Sequence, residues 1–334
     1  MSMSTKLLEV KNLSVDFKTS SGQIQALRDI HFSLEQGESL GIVGESGSGK
    51  SVTSLALFDL LASNAVVRSG EIFFAGKDIR KMSEQEKMKL RGADISMIFQ
   101  DPMSSLNPSF TVGDQIGEVL KFHQGLKGSA VRARILELLN QVGIPDPQSR
   151  LNTYPHELSG GMSQRVMIAM AIACNPRILI ADEPTTALDV TIQKQILSLL
   201  QKLRIEQRMA LVLVSHDLGV IAQNTDRLLV MYAGEVVEQG RSSDVIQSPT
   251  HPYTEALLKC LPGLHSHQGK NFRLPTIPGI VPNLGQRPTG CQLHPRCPYT
   301  QTDCKQKLVV LEKTRAHQAA RCLHPLNTNQ GSKK

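Results

Sequence analysis

At 334 residues and 40 % hydrophobic content, the chain is long enough for two domains and ordinary for a globular protein. The formal charge of +7 comes from scattered lysines and arginines, with one tight cluster at Lys333-Lys334, and aromatics are 4 % with no Trp. With neither a basic stripe nor a base-stacking platform, nucleic acid is excluded as the expected partner. The longest apolar run, Val166 to Cys174, is nine residues, less than half of a membrane span. The N-terminus leads into a strand rather than a signal-peptide core, so the chain is expected in the cytosol, where its six cysteines are poor candidates for structural disulfides.

Leu7 to Phe17 alternates apolar and polar, the pattern of a half-exposed strand, and Gln25 to Leu34 repeats it. Phe17 ends its strand where a ring could lie against an adenine or simply close the core, and spacing leaves both open. Ser39 to Val43 reads as a buried strand and Val52 to Phe58 as a helix. Between them stands Gly44-Glu45-Ser46-Gly47-Ser48-Gly49-Lys50-Ser51, a full match to G-x-x-x-x-G-K-[ST] in the strand–loop–helix context that makes the pattern a phosphate cradle. Gly47 and Gly49 let the backbone N–H groups curl inward toward a helix start that runs on through Val52. Lys50 is expected at the β- and γ-phosphates and Ser51 at Mg²⁺. The chain is therefore expected to bind ATP or a related triphosphate.

Ile72 to Ala75 and Ile95 to Phe99 read as further short strands, the second ending at Gln100. After the loop Asp101 to Pro108 the pattern turns helical to about Asn140, and Gly143 to Tyr154 is a connector. Ser159-Gly160-Gly161 opens a helix running to Cys174, with Ser159 as N-cap and a second anion-binding surface at its start. Arg177 to Glu183 is an apolar strand ending in two acids. Asp182 suits Mg²⁺ through water, and Glu183 is placed to polarise a water against a γ-phosphate. Thr186-Ala187-Leu188-Asp189 leads into another helix, and the buried strand Ala210 to Ser215 delivers His216 to its carboxyl end, where open α/β sheets bind ligand. Strands at Arg227 to Met231 and Glu235 to Glu238 finish this region.

Four cysteines, Cys291, Cys297, Cys304 and Cys322, fall on Pro- and Gly-marked loops. Their spacing lacks the close pairs of a zinc knuckle, and an iron–sulfur cluster suits them better, with zinc or unligated thiols as the alternatives. His294 and His324 are possible substitute ligands. Cys174 and Cys260 read as buried small hydrophobes. Loss of Cys297 is expected to loosen this region and leave nucleotide binding at Lys50 and Ser51 intact.

Six motifs in order make the chain resemble an ABC-transporter ATPase subunit from residue 7 to about 240. They are the phosphate loop, Gln100, Leu158-Ser159-Gly160-Gly161-Met162, the strand to Asp182 and Glu183, Ala187-Leu188-Asp189, and His216. Met162 stands where the commonest signature has Gln. Asp101 to Pro108, His251-Pro252-Tyr253-Thr254 and Ile277 to Pro282 narrow the resemblance to the oligopeptide and dipeptide importers, and to the first of their two paired ATPases. The resemblance implies an α/β P-loop ATPase core of mixed sheet and helices over 1–248, with an inserted helical subdomain at about 103–165. A Pro-rich extension over 249–326 and a disordered tail over 327–334 follow. It further implies ATP and Mg²⁺, with Ser51, Gln100 and Asp182 at the metal, and Gly44 to Val52, Phe17, Ser159, Gly160, Gly161 and Asp189 at the nucleotide. Lys50, Gln100, Glu183 and His216 carry hydrolysis, and a [4Fe–4S] cluster sits on the four cysteines. The implied partners are a paralogous second ATPase, two membrane-spanning permease subunits and an extracytoplasmic peptide-binding protein, with the chain peripheral on the cytoplasmic face of the cell membrane. The implied activity is ATP hydrolysis of the EC 7.4.2 class driving peptide import; nickel, glycosides or antimicrobial peptides are the alternative cargo.

Overall fold

The computed structural model describes residues 6–20, 22–186, 188–261 and 276–328. Ala187, residues 329–334 of the expected tail and the first five residues lie outside them. The described residues fall into two compact units, one of 35–38 and 81–213, the other of 6–34, 39–80 and 214–328.

In the second unit, Lys6–Thr19 pairs with Gly22–Glu35 on one side and Ala65–Phe74 on the other, and Lys77–Asp78 completes this sheet. Ala65–Phe74 starts well before the expected Ile72. Its first half is mostly exposed and carries no apolar alternation, so pairing with Lys6–Thr19 defines it where pattern does not. Elsewhere in the unit Ser39–Val43, fully buried, lies parallel to Arg227–Tyr232, which is antiparallel to Glu235–Arg241. Parallel pairing and burial on both faces account for the largely apolar runs of Ser39–Val43 and Arg227–Tyr232. Two strands absent from the sequence reading extend this sheet: Gln318–Ala320 pairs antiparallel with Glu235–Arg241, and Glu312–Arg315 pairs antiparallel with Gln318–Ala320. The chain beyond Pro249 thus shares a sheet with the strands beside the phosphate loop.

In the first unit, Ile95–Ile98 and Ile178–Asp182 are parallel and buried. The helical run after residue 108 is two helices, because Gly125 in a left-handed conformation ends Val112–Gln124 and Ser129–Gln141 then begins afresh. Both pack on Gly160–Ile172, which ends two residues before the expected Cys174. Val112–Gln124 starts with a capping box, Thr111 Oγ1 accepting from Asp114 N while Asp114 reaches back to the Thr111 N–H. Among the described residues, no helix is long and apolar enough to cross a membrane.

Candidate functional site

The loop Gly44–Ser51 joins a buried strand to the helix Lys50–Leu57. Gly47 and Gly49 have φ of 77° and 103°, a region that side chains rarely adopt. A Cβ at Gly44 would stand 2.2 Å from Met231 O, so this position too tolerates only glycine. Lys50 is buried, and its Nζ donates to Gly44 O at 2.8 Å and Glu45 O at 3.2 Å, spanning the loop's own carbonyls. Ser48 Oγ is buried without a hydrogen-bond partner among the described residues. The helix has no side-chain N-cap. A cradle of glycine backbone, an inward lysine, an orphan hydroxyl and an uncapped helix start suits phosphate oxygens. Ser51 is exposed and Phe17 half-buried, paired with Ala65. His216 is exposed directly after the strand Ala210–Ser215.

In the other unit, Asp182 ends the strand Ile178–Asp182 and is buried. Glu183 follows at φ 47°, a left-handed conformation that is costly for a side chain of this size and is common at functional sites. Its Oε2 accepts from Thr186 Oγ1 at 2.9 Å and from Gln100 Nε2 at 3.4 Å. Gln100, just past Ile95–Ile98, is thereby brought to the acid across the parallel strand pair. Thr186 was not singled out from sequence, although its place three residues after Glu183 could have suggested it.

Ser159 caps Gly160–Ile172, accepting from Met162 N at 3.3 Å. Ser159 and Gly160 are exposed, so this helix start faces outward. A Cβ at Gly161 would meet Ile192 Cγ2 at 3.1 Å, which lets the helix Val190–Gln207 come close. Asp189 caps that helix through Oδ1, which accepts from Thr191 N and Ile192 N at 3.0 Å each.

A family model described as "ABC transporter" matches residues 27–186, and one described as "Oligopeptide/dipeptide transporter, C-terminal region" matches 237–304. The chain is 53 % identical over 321 residues to the dipeptide transport ATP-binding protein DppD of Escherichia coli K12, covering 96 % of this chain and 97 % of the relative. The chain belongs to the ATP-binding subunits of the oligopeptide and dipeptide ABC transporters. A Haemophilus influenzae DppD is 52 % identical over 96 % of both chains, and a putative peptide import ATP-binding protein of Brucella melitensis 48 % identical over 97 % and 96 %. Among solved structures, a dimeric ATP-binding cassette in a post-hydrolysis state with ADP and Pi superposes with TM-score 0.64 at 31 % identity, covering 70 % of this chain and 98 % of its own. The cbiO1 protein of Clostridium perfringens gives 0.63 at 30 % identity over 73 % and 91 %. The importer ATPase is thus an ATP-hydrolysing subunit with the mixed-sheet cassette fold.

The C-terminal region of this importer ATPase brings Cys291, Cys297, Cys304 and Cys322 to one small pocket, with His294 and His324 on its wall. Burial pushes Cys291 up to about 11 and Cys322 to about 12, and raises Cys297 too. The one trio of possible ligand atoms within 4.8 Å of one another among the described residues is Asp303, Cys304 and His324, so the cysteines do not converge on a single ion. The four thiols line one pocket together with His294 and His324. Cys174 and Cys260, expected to be buried, are half-buried, each standing where a helix has just ended.

Three arginines of the same region reach acids on strands and loops that precede it in the chain. Arg287 lies 4.0 Å from Glu235, Arg321 3.2 Å from Asp29, and Arg296 3.2 Å from Glu45. None of these pairs is signalled by spacing.

Proposed function

We propose that this subunit powers import of di- or oligopeptides, as the printed names of its relatives describe for them. Lys50 holds the β- and γ-phosphates of ATP with the loop Gly44–Val52, and Ser51 takes Mg²⁺. Asp182 and Gln100 serve the metal through water, and Glu183 orients the attacking water. His216 carries the family's switch role at the γ-phosphate, and Phe17 offers its ring to the adenine. Ser159, Gly160, Gly161 and Asp189 serve nucleotide across a dimer with a paralogous ATPase. The observation that carries this reading is Glu183, held at φ 47° behind a buried aspartate with its carboxylate on Gln100 and Thr186. Two permease subunits and an extracytoplasmic peptide-binding protein complete the transporter, and the chain works at the cytoplasmic face of the membrane.

The four pocket cysteines are read as holders of a [4Fe–4S] cluster, which would cross-link a region with little apolar periodicity of its own. A second reading, favoured by the Asp303–Cys304–His324 trio, is a single divalent ion there.

The test is ATP hydrolysis by the chain assembled with its partner ATPase and permeases, with the peptide-loaded binding protein added. Dipeptide-dependent stimulation is expected. Stimulation by nickel or a glycoside, and none by peptides, would contradict the cargo.

A further inference from the structure

Glu45 is held at both ends by residues far along the chain. Its backbone N–H donates to Tyr253 Oη at 3.0 Å. Its carboxylate receives Arg296 Nη1 at 3.2 Å and 3.3 Å and Nη2 at 3.3 Å, a forked pair in which the arginine side chain is 5 % exposed. Arg296 is itself fixed. Its Nε donates to Pro278 O at 2.8 Å, and Nη1 reaches Tyr232 Oη at 3.4 Å, with the guanidinium 5.7 Å from that ring. The rings of Tyr232 and Tyr253 lie 4.8 Å apart. Tyr232 ends the strand whose Met231 carbonyl closes over Gly44. One buried cluster therefore grips the first two residues of the loop.

We infer that Arg296, assisted by Tyr253, is a positioning residue for the phosphate loop, coupling the cysteine-bearing region to nucleotide affinity through Glu45. The inference rests on the reading of Gly44–Ser51 as the phosphate cradle. A loop whose first turn is fixed before ATP arrives needs less ordering on binding, so affinity should depend on the pair. Removing one partner strands the other charge in a largely buried place, which displaces the loop rather than leaving it idle. Lysine cannot replace the fork, because an ammonium is a point charge. Arg296 immediately precedes Cys297. On this inference a change at Cys297 would reach Glu45 through the neighbouring Arg296, against the expectation that its loss spares nucleotide binding.

The experiment is fluorescence titration of the full chain with Mg²⁺ and mant-ATP, alongside thermal unfolding. Arg296→Met and Glu45→Gln should each weaken binding on the order of tenfold, the scale on which supporting contacts act on a binding site. The double variant should be no weaker than the worse single one, and Arg296→Lys should recover only part. Tyr299→Phe, which removes a hydroxyl bonded to Glu255 in the same region, should bind as wild type. Lys50→Ala reports on the cradle. If Lys50→Ala loses affinity while Glu45→Gln and Arg296→Met do not, the positioning role is overturned. If Lys50→Ala also binds normally, the cradle reading fails first. Should Arg296→Met not fold, Glu45→Gln decides alone, wild-type affinity there being the contrary result. Strict additivity of the two variants, or an equal loss in Tyr299→Phe, also overturns the role.

Discussion

Gln100 Nε2 lies 3.4 Å from Glu183 Oε2, while Thr186 donates to the same oxygen from 2.9 Å. The shorter bond fixes the carboxylate and the longer one is easily exchanged. Gln100 can thus leave the acid for water or Mg²⁺ without releasing it, and it opens directly into Asp101 and the short helix Pro102–Ser105. In the assembled transporter, Gln100→Ala should lower basal ATPase activity and, measured against that lowered basal rate, lose about fivefold or more of the substrate stimulation, the size of a typical coupling. Unchanged stimulation would remove the coupling role.

His251 gives the clearest pH dependence. It is 1 % exposed, and burial pushes its imidazole down from 6.5 to about 3. Its Nδ1 accepts from Tyr253 N–H at 3.1 Å, which requires the neutral ring. A base with its folded pKa below the unfolded one contributes stability that is full above pH 6.5 and is lost as pH falls toward 3. Asn at this position can still cap the helix Pro252–Lys259 but does not titrate. Between about pH 7.5 and 5.5, wild type should lose on the order of 1 kcal/mol more unfolding free energy than His251→Asn. The buried carboxyl of Glu238, raised by burial, acts in the opposite direction but is common to both proteins. Denaturant titrations that fall in parallel would refute the assignment.

The cysteine pocket separates two metal readings. Anaerobically purified chain should be brown, absorb near 400 nm and carry about four iron atoms. Cys291→Ser should remove the colour, and Asp303→Ala should leave most of it. A colourless preparation with one zinc that Asp303→Ala abolishes would favour the Asp303–Cys304–His324 trio instead.

Much of the site is legible in sequence because its chemistry is local. Strand, glycine loop and Lys50 are contiguous, and Asp182 and Glu183 end an unbroken apolar strand. The family motifs therefore survive without any knowledge of packing. What escapes is non-local. Arg296 and Glu45 are 251 positions apart, and neither has a sequence neighbour that points to the other. The strands Glu312–Arg315 and Gln318–Ala320 have four and three residues, and they exist because Glu235–Arg241 offers an edge to Gln318–Ala320, which in turn pairs with Glu312–Arg315. The first half of Ala65–Phe74 likewise lacks a strand pattern, being mostly exposed with no apolar alternation, and is defined by its pairing with Lys6–Thr19.

The most direct test of the account is single-turnover ATP hydrolysis by the assembled transporter carrying Glu183→Gln. Gln preserves the volume and one oxygen acceptor for Thr186 but cannot take a proton from water. ATP binding should be unchanged, hydrolysis should fall about 10³-fold, as for loss of a general base, and the ATPase pair should be trapped closed on ATP. Wild-type turnover in Glu183→Gln would contradict the assignment of Glu183 as the residue that activates water.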